Sequence, residues 1–151
     1  MAELKERLRA DLNTAMRARD QVRMRTLRLA LTSITNEEVA GASARELTDD
    51  EVLRVLTREA RKRREAAEAF SAAGRSEQAA AERAEGDVLA GYLPAQLSDD
   101  ELAALVDAAI AETGASGPSG LGQVMKTVTP RVAGRADGAR VAAEVRRRLS
   151  S

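Results

Sequence analysis

The chain has 151 residues and a net charge of zero, a length suited to one medium domain or to two small ones sharing a core. Apolar residues make up 44%, but Phe70 and Tyr92 are the only aromatic side chains, so the core has to come from Leu, Val, Ala and Met. The absence of cysteine and histidine excludes disulfides, thiolate catalysis, Cys-zinc sites and the commonest general base.

Abundant Ala, Leu, Glu and Arg favour helix nearly everywhere, and the expected fold is all-α. Leu4, Leu8, Leu12 and Met16 predict an amphipathic helix over roughly residues 3–18. Asp20 caps a second helix with an apolar stripe of Val22, Leu27, Leu31 and Ile34, fading near Gly41. Thr48-Asp49-Asp50-Glu51 writes a capping box, and Val52, Leu53, Leu56, Ala60, Ala67 and Phe70 carry a long helix after it. Gly74 stops that helix, and Ser76 starts another with Ala80, Ala84, Val88 and Leu89.

Gly91-Tyr92-Leu93-Pro94 breaks the pattern, because proline bars Leu93 from ordinary helix. The boundary at about residues 91–97 gives an N-terminal helical subdomain over 1–93 and a C-terminal three-helix subdomain over 94–151. Ser98-Asp99-Asp100-Glu101 is a second capping box, opening a helix with Leu102, Leu105, Val106, Ala109 and Ile110. Gly114 through Gly120 reads as a flexible connector. A short helix over about 121–129, stopped at Pro130, and a last helix over about 138–149 complete the chain.

Charge is unevenly placed. Residues 1–30 hold eight basic and four acidic side chains, residues 31–120 nine and eighteen, and residues 121–151 seven and two. Basic ends around an acidic middle suit docking between domains or protomers, or a phosphate-binding face that the neutral total hides. No apolar run approaches the roughly 20 residues of a membrane span, and no signal-type segment opens the chain. The expected compartment is cytoplasmic, with no membrane partner.

Met16-Arg17 with Asp20, Arg23, Leu27 and Arg28, then Asn36-Glu37-Glu38, Leu47-Thr48-Asp49-Asp50-Glu51-Val52 and Arg61-Lys62-Arg63-Arg64-Glu65-Ala66 form an ordered set of motifs. Ala73-Gly74-Arg75, Tyr92-Leu93-Pro94-Ala95-Gln96-Leu97, Gly122-Gln123-Val124-Met125 and Gly134-Arg135-Ala136-Asp137-Gly138 continue it. In this order they resemble the YqeY-like proteins nearly end to end, and the C-terminal half is similar to the tail domain of GatB, a subunit of tRNA-dependent amidotransferases. The resemblance implies an all-helical protein, an N-terminal helical subdomain joined to a three-helix tail, and in the amidotransferase that tail is the part implied to contact the tRNA. It also carries the label of a carbon–nitrogen ligase with glutamine as amido-N-donor, although in the amidotransferase the reacting centres lie in other domains and another subunit.

The residues themselves offer no catalytic constellation. Ser116 and Ser119 near Lys126 are the only local serine–lysine candidates, and they sit in the connector with nothing to preorganise them. The Gly114–Gly120 stretch lacks the Gly-Lys-Ser/Thr ending and preceding strand of a phosphate loop. Asp49-Asp50 and Asp99-Asp100 belong to capping boxes, where acids favour the helix N-terminus, so no metal or cofactor is expected. Arg61 through Arg64 spans a helical turn, which turns Arg63 or Arg64 toward the apolar side, its stem covering hydrophobic surface while the head stays wet, or its head pairing with an acid of the preceding helix such as Glu37 or Glu38.

Lys126, Arg131, Arg135, Arg140 and Arg147 remain as candidate nucleic-acid contacts, with Gly134, Asp137 and Gly138 as turn and cap. Cations around an open helix N-terminus suit a phosphate, and the same residues suit plain turn-making. Without aromatic platforms, contact would read RNA shape and phosphate rather than bases. The leading expectation is a non-catalytic module for tRNA or another structured RNA. The alternatives are a component of a glutamine-dependent amidotransferase, or an accessory module docking a protein partner through its acidic middle or the helix over 76–90.

Overall fold

In the computed structural model, which describes residues 2–150, the chain is all-helical. Among the described residues there are seven α-helices and no strand: α1 (Glu3–Ala18), α2 (Gln21–Glu38), α3 (Asp49–Ala72), α4 (Ser76–Ala90), α5 (Asp99–Thr113), α6 (Leu121–Val132) and α7 (Gly138–Leu149). None of them is long and apolar enough to cross a membrane. They fall into two compact units, one ending at Leu93 and one beginning at Pro94, each around its own apolar core.

In the first unit two residues reverse the chain between α1 and α2. Arg19 adopts a left-handed conformation (φ 56°), and the amides of Arg19 and Asp20 return to the carbonyls of Met16 and Ala15. Asp20 then accepts a hydrogen bond from the Arg23 amide at 3.1 Å and opens α2. Leu8 of α1 packs with Leu27, Ala30 and Ile34 of α2, Val52, Val55 and Leu56 of α3, and Leu89 and Tyr92 at the end of α4. Met16 does not continue that stripe and is 40% exposed, while Ala15 is buried. A helix turns about 100° per residue, so Ala15 lies about 20° from the direction of Leu8 and Met16 about 80° from it.

The capping box of α3 forms as its sequence predicts: Thr48 accepts from the Glu51 amide at 3.2 Å and Glu51 from the Thr48 amide at 3.1 Å. The Arg45 guanidinium grips both oxygens of Glu51, at 2.9 and 2.5 Å, and with the Thr48 amide holds its carboxyl down at about 2. The neighbouring Asp49 does a second job. Its carboxylate accepts from the Leu4 amide at 3.1 Å, satisfying a free donor in the first turn of α1 that no local cap serves. α2 stops at Glu38, slightly before Gly41. Arg75, rather than Ser76, stands at the N-cap of α4 and supplies no side-chain cap.

In the second unit the Ser98–Glu101 box opens α5, and Leu102, Val106 and Ala109 face Val124, Val128 and Val132 of α6 and Val141, Val145 and Leu149 of α7. The Leu97 amide donates to the Arg135 carbonyl at 2.8 Å, pinning the entry segment to the turn between α6 and α7. The connector is more ordered than a flexible linker, because a 3-10 turn over Pro118–Gly120 leads into α6. Gly120 is required there: a Cβ at this position would stand 2.7 Å from the Ala115 Cβ.

α6 also passes through the expected proline stop and ends at Val132. Pro130 lacks an amide to donate to the Lys126 carbonyl, but it is exposed, whereas Val128 and Val132 on either side are buried. Burial of that pair outweighs the one missing bond, since each apolar side chain removed from water contributes roughly 1.5–3 kcal/mol.

Candidate nucleic-acid interface

The turn between α6 and α7 is built from backbone conformation first. Ala133 and Gly134 both take positive φ (50° and 79°), a left-handed pair that ends α6, and glycine suits the second position. Arg135 folds back, donating from Nε to the Val132 carbonyl at 3.3 Å and from an Nη to the Arg131 carbonyl at 3.1 Å. Its cation thus sits at the negative end of the α6 dipole. Ala136 is buried, and Asp137 accepts from the Arg140 amide at 2.9 Å to start α7, the capping role expected of it. Gly138 has an ordinary φ and open space around it, so neither tight turning nor close approach demands glycine there.

Three arginines of α6 and α7 reach acids of α5. Arg131 pairs with Glu112, lowering the carboxyl and raising the guanidinium through their hydrogen bond. Arg140 reaches Asp99 at 2.8 Å, and Arg148 reaches Asp107 at 3.1 Å. Arg147 pairs with Glu144 on its own helix at 2.7 Å, within the field of Asp107 and Asp99. Arg148 shares Glu144 at 2.9 Å, and the two guanidiniums hold that carboxyl below its ordinary value, Arg147 more strongly. Lys126 is exposed on α6 and has no ion pair among the described residues.

The five candidate cations therefore do not converge on a point. Asp99 opens α5 and Glu112 stands near its end, so Arg131 and Arg140 are about 20 Å apart along a helix rising 1.5 Å per residue. Arg131, Arg140 and Arg148 form a rail along α5 instead. Residues 94–151 carry seven basic and seven acidic side chains, with five of the acids on α5, so the positive tail seen in sequence faces its own counter-charge. What sequence reasoning missed was this pairing, because Arg140 and Asp99 are 41 positions apart.

A second expectation is corrected in the first unit. Arg63 is the arginine of the 61–64 run that turns inward, but its partners are Glu82 and Glu85 of α4, both at 3.3 Å, and not Glu37 or Glu38. The antiparallel return of α4 over α3 puts Glu82 and Glu85 on the inner face, where Arg25 also meets Glu85 at 2.6 Å. Glu38 is taken by Lys5 at 2.7 Å and by the Leu47 amide at 3.2 Å, and Glu37 by Arg58 at 3.5 Å. Within this buried knot, Nε of Arg63 and one Oε of Glu82 have no hydrogen-bond partner.

Among the described residues no three acidic side chains come together as a metal site. No curated protein matches the chain. The family description "Yqey-like protein" matches residues 5–149, which is nearly the whole length, and so the chain belongs to the YqeY-like family.

Proposed function

We propose that this chain works by holding a structured RNA, of which tRNA is the leading candidate, through the arginine rail of α6 and α7. The observation that carries the reading is the exposure of the three α5 carboxylates that now occupy Arg131, Arg140 and Arg148. The side chains of Asp99, Glu112 and Asp107 are 98%, 54% and 52% exposed. Surface ion pairs of this kind contribute little, because water screens them and two long side chains must be held still. A phosphate brings a stronger charge-assisted bond and releases counterions as it arrives, so it displaces such a carboxylate readily. The similarity of the second unit to the GatB tail supports tRNA as the target.

Neither Phe70 nor Tyr92 lies in this unit, so recognition would rest on shape and phosphate. Filter binding of total tRNA at low and moderate salt tests the reading. Affinity is expected to fall steeply with salt and to drop when Arg131, Arg135 and Arg140 are changed together to Glu. Unchanged binding by that variant would remove this surface from consideration. On the same reading, the purified chain given glutamine, ATP and misacylated tRNA forms no amide, and amide formation would overturn it.

A further inference from the structure

We infer that the α1–α2 corner of the first unit is an additional phosphate-backbone contact for structured RNA, formed by Arg17, Arg19, Arg23 and Arg28. The inference rests on the RNA-binding reading above but assigns it to a different surface, on a different unit.

Between Asp20 and Glu37 the sequence has no acidic residue, while Arg17, Arg19, Arg23, Arg25 and Arg28 crowd around the turn. The structure sorts these five arginines by availability. Arg25 is spent internally on Glu85, whose carboxylate is buried. The other four are exposed and have no carboxylate partner among the described residues. The one acid at the corner, Asp20, is occupied in capping α2. Arg17 finds only the Thr14 hydroxyl at 3.5 Å, and Arg28 only the Met16 sulfur at 3.4 Å. The Arg28–Met16 contact shows that the flank of α2 lies against the last turn of α1, so cations from both arms and from the turn surround one end of the hairpin.

This is the reverse of the tail. There, Arg131, Arg140 and Arg148 each have an acid to leave before they can meet a phosphate; here nothing has to be displaced. Forked guanidiniums spread around a corner suit the repeated phosphates of a nucleic-acid backbone. A membrane surface fits less well, because interfacial helices carry a broad apolar face with aromatic anchors. Near this corner the exposed large apolar residues are only Met16 and Leu29.

The test compares three full-length proteins: the natural chain, a corner variant (Arg17, Arg19, Arg23 and Arg28 to Gln) and the tail variant (Arg131, Arg135 and Arg140 to Glu). Each is titrated with total tRNA over a range of salt, with a circular-dichroism melt as a folding control. The corner variant is expected to bind about tenfold more weakly or worse, and its log–log salt slope to flatten by about three to four for the four lost phosphate contacts. A second variant with the four arginines changed to Lys keeps the charge and should keep most of the slope, which also covers the case in which the Gln variant unfolds. Tail loss with a corner variant that binds like the natural chain overturns this inference and leaves the tail reading standing. Corner loss with an unaffected tail variant does the opposite. A natural chain that binds no tRNA overturns both. Capture by phosphatidylserine vesicles that the corner variant loses, with tRNA binding intact, would assign the corner to lipid and overturn the inference as well.

Discussion

The Tyr92 hydroxyl donates a hydrogen bond to the Asp11 carboxylate at 2.5 Å, tying the last residues of the first unit to the middle of α1. The Arg7 guanidinium lies over the same ring, 4.7 Å from its centre, so charge and aromatic face close the contact from a second side. Burial, and then the bond to Asp11, push the hydroxyl up to about 12.

Tyr92→Phe keeps the ring and removes the bond, leaving Asp11 without its donor. The expected cost is about 1–2 kcal/mol, read as a lower midpoint in urea unfolding. The natural chain should also lose stability at high pH. The tyrosine ionises near 10 when unfolded and near 12 when folded, so its contribution is complete below 10 and fades as pH rises toward 12. The Phe variant should lack that alkaline decline, and a decline unchanged by the substitution would contradict the assignment.

Lys5 and Glu38 form a buried pair, and the Glu38 carboxyl is lowered first by the Lys5 hydrogen bond and further by the Leu47 amide. Removing the cation by Lys5→Met strands a buried carboxylate, at a cost on the order of 3 kcal/mol. A lowered folded value means that Glu38 stabilises the fold above its unfolded value, and that this contribution is lost as pH falls through the folded one. Without Lys5 the carboxyl is no longer held down and burial raises it, so the acid decline that Glu38 contributes should shrink in Lys5→Met, and the gap to the natural chain should narrow as pH falls. The double variant Lys5→Met with Glu38→Gln should recover part of the loss.

Gly120 and Gly138 make a matched pair. Gly120→Ala drives a Cβ to within 2.7 Å of Ala115 and should destabilise the second unit by about 1–2 kcal/mol. Gly138→Ala meets nothing within 4 Å in the first turn of α7 and should be neutral or slightly stabilising. Thermal melts of the two variants, moving in different directions, check the packing at the connector.

If the tail rail binds phosphate, its native partners are competitors. Asp99→Asn and Glu112→Gln together should leave the melting temperature nearly unchanged, because the pairs are exposed. They should tighten tRNA binding by about two- to fivefold at low salt, with less gain as salt rises. Weaker binding by this variant would mean that the carboxylates position the arginines rather than compete for them.

Much of the local architecture was legible because it is written in adjacent residues. Thr48 with Glu51, Ser98 with Glu101, and the lone caps Asp20 and Asp137 each satisfy free amides within three positions, and all four form. Reading failed where distant packing decides. Pro130 looked like a stop because local propensity says so, but burial of Val128 and Val132 carries α6 past it. An inward turn of Arg63 or Arg64 followed from helical periodicity, while the pairing of Arg63 with Glu82 and Glu85 depended on which helix comes to lie over it. The tail cations were visible as residues, but their engagement by α5 was not, since charge counted along a chain does not show what folds against it.

The bond from the Leu4 amide to Asp49 spans 45 positions and makes the opening turn of α1 depend on the opening turn of α3. Helix ends ordinarily fray on their own, exchanging amide hydrogens with solvent long before the rest of a fold opens. Here the first coil of α1 can loosen only when a carboxylate anchored in another segment lets go. Deuterium uptake at Leu4 should therefore slow to the pace of larger openings, and Asp49→Ala should return it to the rapid exchange of a loose terminus.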